Sequence, residues 1–205
     1  MAQNLSVYEL LHVSHYLDDQ SLCRLSVCSK EINCVLRPSV NDRYLDSIET
    51  GSRFFDTQRM IDVIKVAQRK TLNLSHKLSH EQTSQVIADI MANDSIQTLN
   101  LSYNRMDLVD VSSLTDALKI NHSLQTLDLS GNMMGDGCIM WLAIAIKVNH
   151  SLRALYLNNN WIHNQGLRAL ATALTINQSL QVLDLGGNEL SYEGVQDLAL
   201  SLIHI

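Results

Sequence analysis

Nowhere does the chain string together the ~18 apolar residues that a helix needs to cross a bilayer. Its opening, MAQNLSVYELL, lacks the basic start and apolar core of a signal peptide, so neither a membrane nor a secretory role is expected. Positive charge is also scarce. Fifteen Lys and Arg stand against 21 Asp and Glu, a formal charge of −6 with a pI near 5.7, and nucleic-acid affinity is built from clustered basic residues. The four cysteines, Cys23, Cys28, Cys34 and Cys138, show no Cys-x-x-Cys spacing and read as reduced, mostly buried thiols. There is no Gly-rich phosphate loop, no G-x-S-x-G and no unexplained Cys/His arrangement, so the chain reads as a non-enzyme without cofactor or metal. His76 and His80 lie four apart in HKLSH, but in a loop that spacing does not fix one face, and no Cys or carboxylate completes a ligand set. The single proline, Pro38, suggests a boundary near residues 37 to 42.

What is abundant is leucine at regular positions. SIQTLNLSYN from Ser95, SLQTLDLSGN from Ser123, SLRALYLNNN from Ser151 and SLQVLDLGGN from Ser179 each begin 28 residues after the last. A weaker copy, QRKTLNLSHK from Gln68, precedes them, with Lys77 where the others carry Asn. A period of 20 to 29 residues with L-x-x-L-x-L-x-x-N is the signature of leucine-rich repeats. On a strand, side chains alternate faces, so Leu99 and Leu101 point to the core while Thr98, Asn100 and Ser102 point to water. Each copy is followed by an amphipathic segment with Leu114 and Leu118, Leu142 and Ile146, Leu170 and Leu174, or Leu198 and Leu202 at matched positions. One strand and one helix per repeat predict an α/β solenoid, a horseshoe with a parallel sheet on the concave face and helices on the convex face. Residues 68–205 hold five repeats.

Asn104, Asn132, Asn160 and Asn188 close the strand segments and are read as an internal ladder satisfying turn backbone, not as ligands. Asn73, Asn93, Asn100, Asn121, Asn149 and Asn177 fit the glycosylation triplet, but the repeat generates all of them. His122 and His150 recur at equivalent surface positions.

The polar sheet face is expected to comprise Asn73, Asn100 and Ser102, Asp128 and Ser130, Tyr156 and Asn158, and Asp184 and Gly186. One residue past each ladder Asn comes a rim series, Arg105, Met133, Trp161 and Glu189. Tyr156 and Trp161 fall in one repeat with Met133 beside them, and large rigid aromatics on a wet face are typical binding anchors. Arg105, Asp128, Met133, Tyr156, Asn158, Trp161 and Asp184 are therefore the expected contacts to a protein substrate. No polar repeat follows in this sequence, so the edge at Leu183, Leu185, Leu198 and Leu202 is expected to be exposed: either the natural chain continues, or this edge pairs with another copy, as expected of the isolated chain.

Residues 1–40 have no repeat register and read as a small all-α, three-helix head. Ser6 and Glu9 form a capping box with Leu5 and Leu10 as its staple; Asp18 and Asp19 open a second helix and Ser29 a third. Leu5, Glu9, Leu10, Leu11, Tyr16-Leu17-Asp18, Leu22, Arg24-Leu25-Ser26 and Ser29-Lys30 resemble the F-box, although Ser6 replaces its usual proline and Ile32 a common aromatic. The resemblance implies docking onto a Skp-type adaptor of a cullin-RING ubiquitin ligase, with Leu5, Glu9, Leu10, Leu17, Leu22 and Leu25 as the adaptor contacts. Residues 41–67, with Met60, Ile61, Val63 and Ile64 at helical spacing, read as a helical linker and N-terminal cap. Residues 68–205 resemble the ribonuclease-inhibitor-like leucine-rich repeats. Two functions fit this layout: the substrate-recognition subunit of a ubiquitin ligase, or a protein-binding scaffold whose head merely caps the solenoid. The first is expected in cytoplasm or nucleus, and a bacterial effector imitating a host F-box protein, secreted into the host cytosol, would share its features.

Overall fold

A computed structural model describes residues 70–78, 83–92, 94–192, 194, 195 and 198. The chain divides between Arg69 and Lys70, and everything below concerns the second unit. The F-box-like positions Leu5, Glu9, Leu10, Leu17, Leu22 and Leu25, the linker 41–67, His80 and Leu202 lie outside the described residues.

Five three-residue strands, β1 (Thr71–Asn73), β2 (Thr98–Asn100), β3 (Thr126–Asp128), β4 (Ala154–Tyr156) and β5 (Val182–Asp184), form one parallel sheet in sequence order. The register is uniform: Leu72, Leu99, Leu127, Leu155 and Leu183 line up across it, as do Asn73, Asn100, Asp128, Tyr156 and Asp184. Parallel neighbours need a crossover, and helices α1 (Thr83–Met91), α2 (Leu108–Ile120), α3 (Gly135–Val148) and α4 (Asn164–Leu174) supply it. The core lies between the two layers. Leu72, Leu74, Leu99, Leu101, Leu127, Leu129, Leu155 and Leu157 from the strands meet Leu114, Leu118, Leu142, Ile146, Leu170 and Leu174 from the helices, all buried. This is the leucine-rich-repeat architecture the spacing predicts, with sheet concave and helices convex.

Stacking alone would leave the turns with buried, unpaired backbone, and two asparagine ladders prevent this. In the first, Asn132 is fully buried. Its Oδ1 accepts the Asn104 N–H at 2.8 Å, and its Nδ2 donates to the carbonyls of Leu101 at 3.0 Å and Leu129 at 2.8 Å. Asn160 does the same one repeat on, accepting the Asn132 N–H at 3.0 Å, and Asn188 accepts the Asn160 N–H at 2.8 Å. Asn104 closes the row by accepting the N–H groups of Lys77 and Leu78, both at 3.0 Å. Each rung thus bonds its own turn and the one before it, which locks neighbouring repeats at a fixed rotation.

The second ladder was hidden in the glycosylation-like triplets. Asn121, Asn149 and Asn177 are buried just beyond α2, α3 and α4. The Oδ1 of Asn149 accepts from Ser151 N at 3.0 Å and Leu152 N at 2.8 Å, while its Nδ2 donates to Leu118 O at 2.8 Å and Asn121 O at 3.0 Å. The Nδ2 of Asn177 reaches Ile146 O at 2.6 Å and Asn149 O at 2.8 Å in the same way. These amides hold the helix ends to the strand entries, and their burial leaves no side chain for a glycan.

One expectation needs correction: Ser102 is buried and does not reach the wet face. Leu183 and Leu185 are half-covered where Leu155 and Leu157 are fully buried, so β5 is the more open edge of the described sheet.

Candidate functional site: the sheet face and its rim

The strand-end column shows what the architecture requires and where it is abandoned. Asn73, Asn100, Asp128 and Asp184 each turn a side-chain oxygen onto the backbone N–H two residues on, at Ser75, Ser102, Ser130 and Gly186, with distances of 3.0, 2.9, 2.9 and 2.9 Å. Such Asx turns end the strand and start the bend. Tyr156 occupies the same register position in β4 and has no oxygen near enough to do this. The one aromatic in the column is therefore not explained by the turn.

Around it the polar side chains are linked to one another. Ser130 Oγ donates to Asp128 Oδ1 at 2.6 Å and lies 3.0 Å from Asn158 Oδ1, and Asn158 Nδ2 donates to Asp184 Oδ2 at 2.7 Å. Asp128 with Ser130, and Asn158 with Asp184, thus form two hydrogen-bonded pairs that meet beside half-buried Tyr156, where the one Ser130 hydroxyl hydrogen lies within reach of both Asp128 and Asn158. The Gly186 N–H, then the Asn158 amide, hold the Asp184 carboxyl below the usual carboxylate range. The face is accordingly acidic and preorganised.

The rim is built by a turn with left-handed backbone on both sides of Asn104, Asn132 and Asn160, and ahead of Asn188. Ahead of it stand Tyr103, Gly131, Asn159 and Gly187, with φ of 57°, 68°, 54° and 66°; behind it stand Arg105, Met133 and Trp161, with φ of 53°, 57° and 57°. Glycine or asparagine suits this region, and a bulky side chain there costs about 1–2 kcal/mol. Met133 and Trp161 nonetheless occupy it and project outward, 48% and 54% exposed. Arg105 is exposed one repeat before them, and Glu189 one repeat after, where it meets His163 Nε2 at 3.1 Å. The structure thus aligns Arg105, Met133 and Trp161 along one edge of the face that carries Asp128, Tyr156, Asn158 and Asp184.

Sequence reasoning missed Tyr103. Its ring stacks on His76 with centroids 4.7 Å apart and planes 3° from parallel, and it lies over Gly131, where any Cβ would overlap it. Gly131, conserving that space, was the available signal. His76 is therefore engaged as a stacking partner. Among the described residues no cluster of three His, Cys, Asp or Glu could hold a metal, and no helix is long and apolar enough to cross a membrane. Cys138 is buried, and burial, reinforced by Asp107 and Asp110, raises its thiol pKa.

Comparison with known proteins agrees with this geometry. The family model described as Leucine Rich repeat matches residues 121–137, 148–171 and 177–199. No curated protein matches the chain significantly. Among solved structures, the C-terminal domain of tropomodulin from Caenorhabditis elegans superposes with a TM-score of 0.62 at 17% identity, over 73% of this chain and 93% of that one. Leiomodin-1 actin-binding site 2 gives 0.54 at 18% identity, over 82% and 90%. The leucine-rich-repeat-containing protein LegL7 from Legionella pneumophila gives 0.42 at 15% identity, over 96% and 69%. The unit that begins at Lys70 is a leucine-rich-repeat fold.

Proposed function

We propose that the chain is a protein-binding module that holds a segment of its partner against Tyr156, Trp161 and Met133. The observation that carries this is that β4 alone among the five strands gives up the Asx turn, for Tyr156. The same repeat sets a half-exposed Trp161 at the left-handed rim position where the two preceding repeats carry Arg105 and Met133. Tyr and Trp supply large contact area with few rotatable bonds, and Asp128 and Asp184 beside them favour a partner with a basic residue next to an apolar anchor. Five strands at ~4.8 Å spacing give a face roughly 20 Å wide, suited to a peptide segment or small domain. The leiomodin-1 domain, an actin-binding site by its description, supports the same class of ligand for this fold. The test is affinity capture with the intact chain, Tyr156→Ala, Trp161→Ala, and an outer-face control, Thr172→Ala. A partner retained by the control and lost by both aromatic variants supports the site. One retained by all four removes it.

A second reading rests on the F-box-like pattern in residues 4–40. In it the module selects substrates for a cullin-RING ubiquitin ligase in cytoplasm or nucleus, or in a host cytosol if the chain is a bacterial effector. Leu10 and Leu22 are the adaptor contacts to test. Co-purification with a Skp-type adaptor should be lost in Leu10→Asp/Leu22→Asp while the repeat unit melts unchanged. Failure of the intact chain to bind the adaptor leaves the scaffold reading alone.

A further inference from the structure

The convex side carries an apolar surface that the rim site does not use. Helix α3 is apolar nearly all round. Ile139, Leu142 and Ile146 face the core, but Met140, Trp141, Ile144 and Val148 point outward at 51%, 42%, 48% and 48% exposure. At the helix C-termini a row at the repeat spacing, Ile120, Val148 and Ile176, crosses α2, α3 and α4 and is likewise exposed. Apart from Leu108 and Val109 at the start of α2, the neighbouring outer faces are polar, with Ser113 and Asp116 on α2 and Arg168 and Thr172 on α4.

We propose that this surface is a two-fold interface between two copies of the chain, with α3 packed on α3. Area is the first argument. Six large side chains exposed to this degree present on the order of 600 Å² of apolar surface, at the top of what a monomer ordinarily leaves open. Their polar surround brings the face close to the ~800 Å² per partner of a standard interface. Self-complementarity is the second. Rotation about an axis parallel to α3 sets Val148 against Val148 of the second copy, with Ile120 facing its Ile176 on either side, so the row is complementary to itself, as an isologous contact requires. The antiparallel alternative would set the row against Gly135 and Gly137 at the other end of α3. Charge is the third, since the parallel arrangement brings Asp116 of α2, paired with Lys119 of the same helix at 2.8 Å, to within about one helical turn of Arg168 on α4 of the second copy. The border of the surface mixes Lys119, Lys147 and Arg168 with Asp116, whereas a lipid surface would call for a border of Lys and Arg alone.

The test is sedimentation velocity of the full chain from ~1 to ~100 μM. The unaltered chain should show a concentration-dependent dimer. Ile144→Asp, and the charge-neutral Trp141→Ser, should each raise the dimer dissociation constant at least ~30-fold with an unchanged thermal transition, and Tyr156→Ala should leave it as it was. A chain monomeric at every concentration, or a monomer that floats with anionic vesicles, overturns the proposal. So does a dimer that survives both α3 variants, and one that is abolished only by Leu185→Asp would place the interface at the β5 edge.

Discussion

Replacing Asn132 by alanine should unfold the repeat unit more readily than any single surface change, and the hydrogen bonds allow the size to be worked out. The amide makes three good bonds, at 2.8, 3.0 and 2.8 Å, in a site with 1% exposure. The two carbonyls it serves are shared. Leu101 O also accepts from Asn104 at 2.9 Å and Leu129 O from Asn160 at 2.9 Å, so each keeps a partner after the substitution. The Asn104 N–H, and the Met106 N–H that reaches the same oxygen at 3.4 Å, have no second partner among the described residues, and their acceptor disappears. Three net hydrogen bonds at about 0.5–1.5 kcal/mol each, together with two buried N–H groups left unpaired, give a loss of roughly 3–5 kcal/mol. At Asn188 the rung is only part-buried, water can replace the lost partners, and the same change should cost about 1–2 kcal/mol. Urea denaturation followed by circular dichroism measures both. A cost below about 1 kcal/mol at Asn132, or one no larger than at Asn188, would refute the ladder as the device that joins the repeats.

Three further outcomes are expected. Thr115 is buried in α2 and, among the described residues, its Oγ1 has no hydrogen-bond partner; Thr115→Val should therefore raise stability by about 1 kcal/mol in the same urea assay, and a loss would mean that the hydroxyl is satisfied. The Asp184 carboxyl should titrate below its ordinary value by NMR and return toward it in Asn158→Ala; because its folded-state pKa is the lower one, its small stabilising contribution is present above the unfolded pKa and lost as pH falls through the folded one, and a normal midpoint in the unaltered chain would contradict the hydrogen-bonded pair. Cys138, with its thiol pKa raised, should resist alkylation at pH 8 until the protein unfolds, and peptide mass spectrometry showing modification of the native state would contradict its burial.

The fold was legible because its signal repeats. Leucines at alternating positions fix which strand face is buried, and the 28-residue period sets strand beside strand without further information. Hydrogen bonds were harder to read. Asn121, Asn149 and Asn177 look like surface triplets in a one-dimensional pattern, yet each reaches a carbonyl about 30 residues earlier, a partner that exists only after stacking. Backbone conformation is also silent at this level: nothing in the letters around Trp161 or Met133 announces left-handed φ. The outer stripe of α3 escaped notice for a different reason. Helical periodicity identifies the inward face, and a helix apolar on both sides dilutes that signal.

The claim on which the functional account turns is that Trp161 serves a partner and not the fold, and a single substitution separates the two. Trp161→Gly removes a half-exposed side chain from a left-handed position where glycine is at ease, so stability should stay within about 1 kcal/mol of the unaltered chain or rise. Calorimetric titration with the partner recovered by affinity capture should show binding weakened by about 2 kcal/mol or more, roughly 30-fold. Unchanged affinity, or a loss of affinity matched by unfolding, would contradict the account.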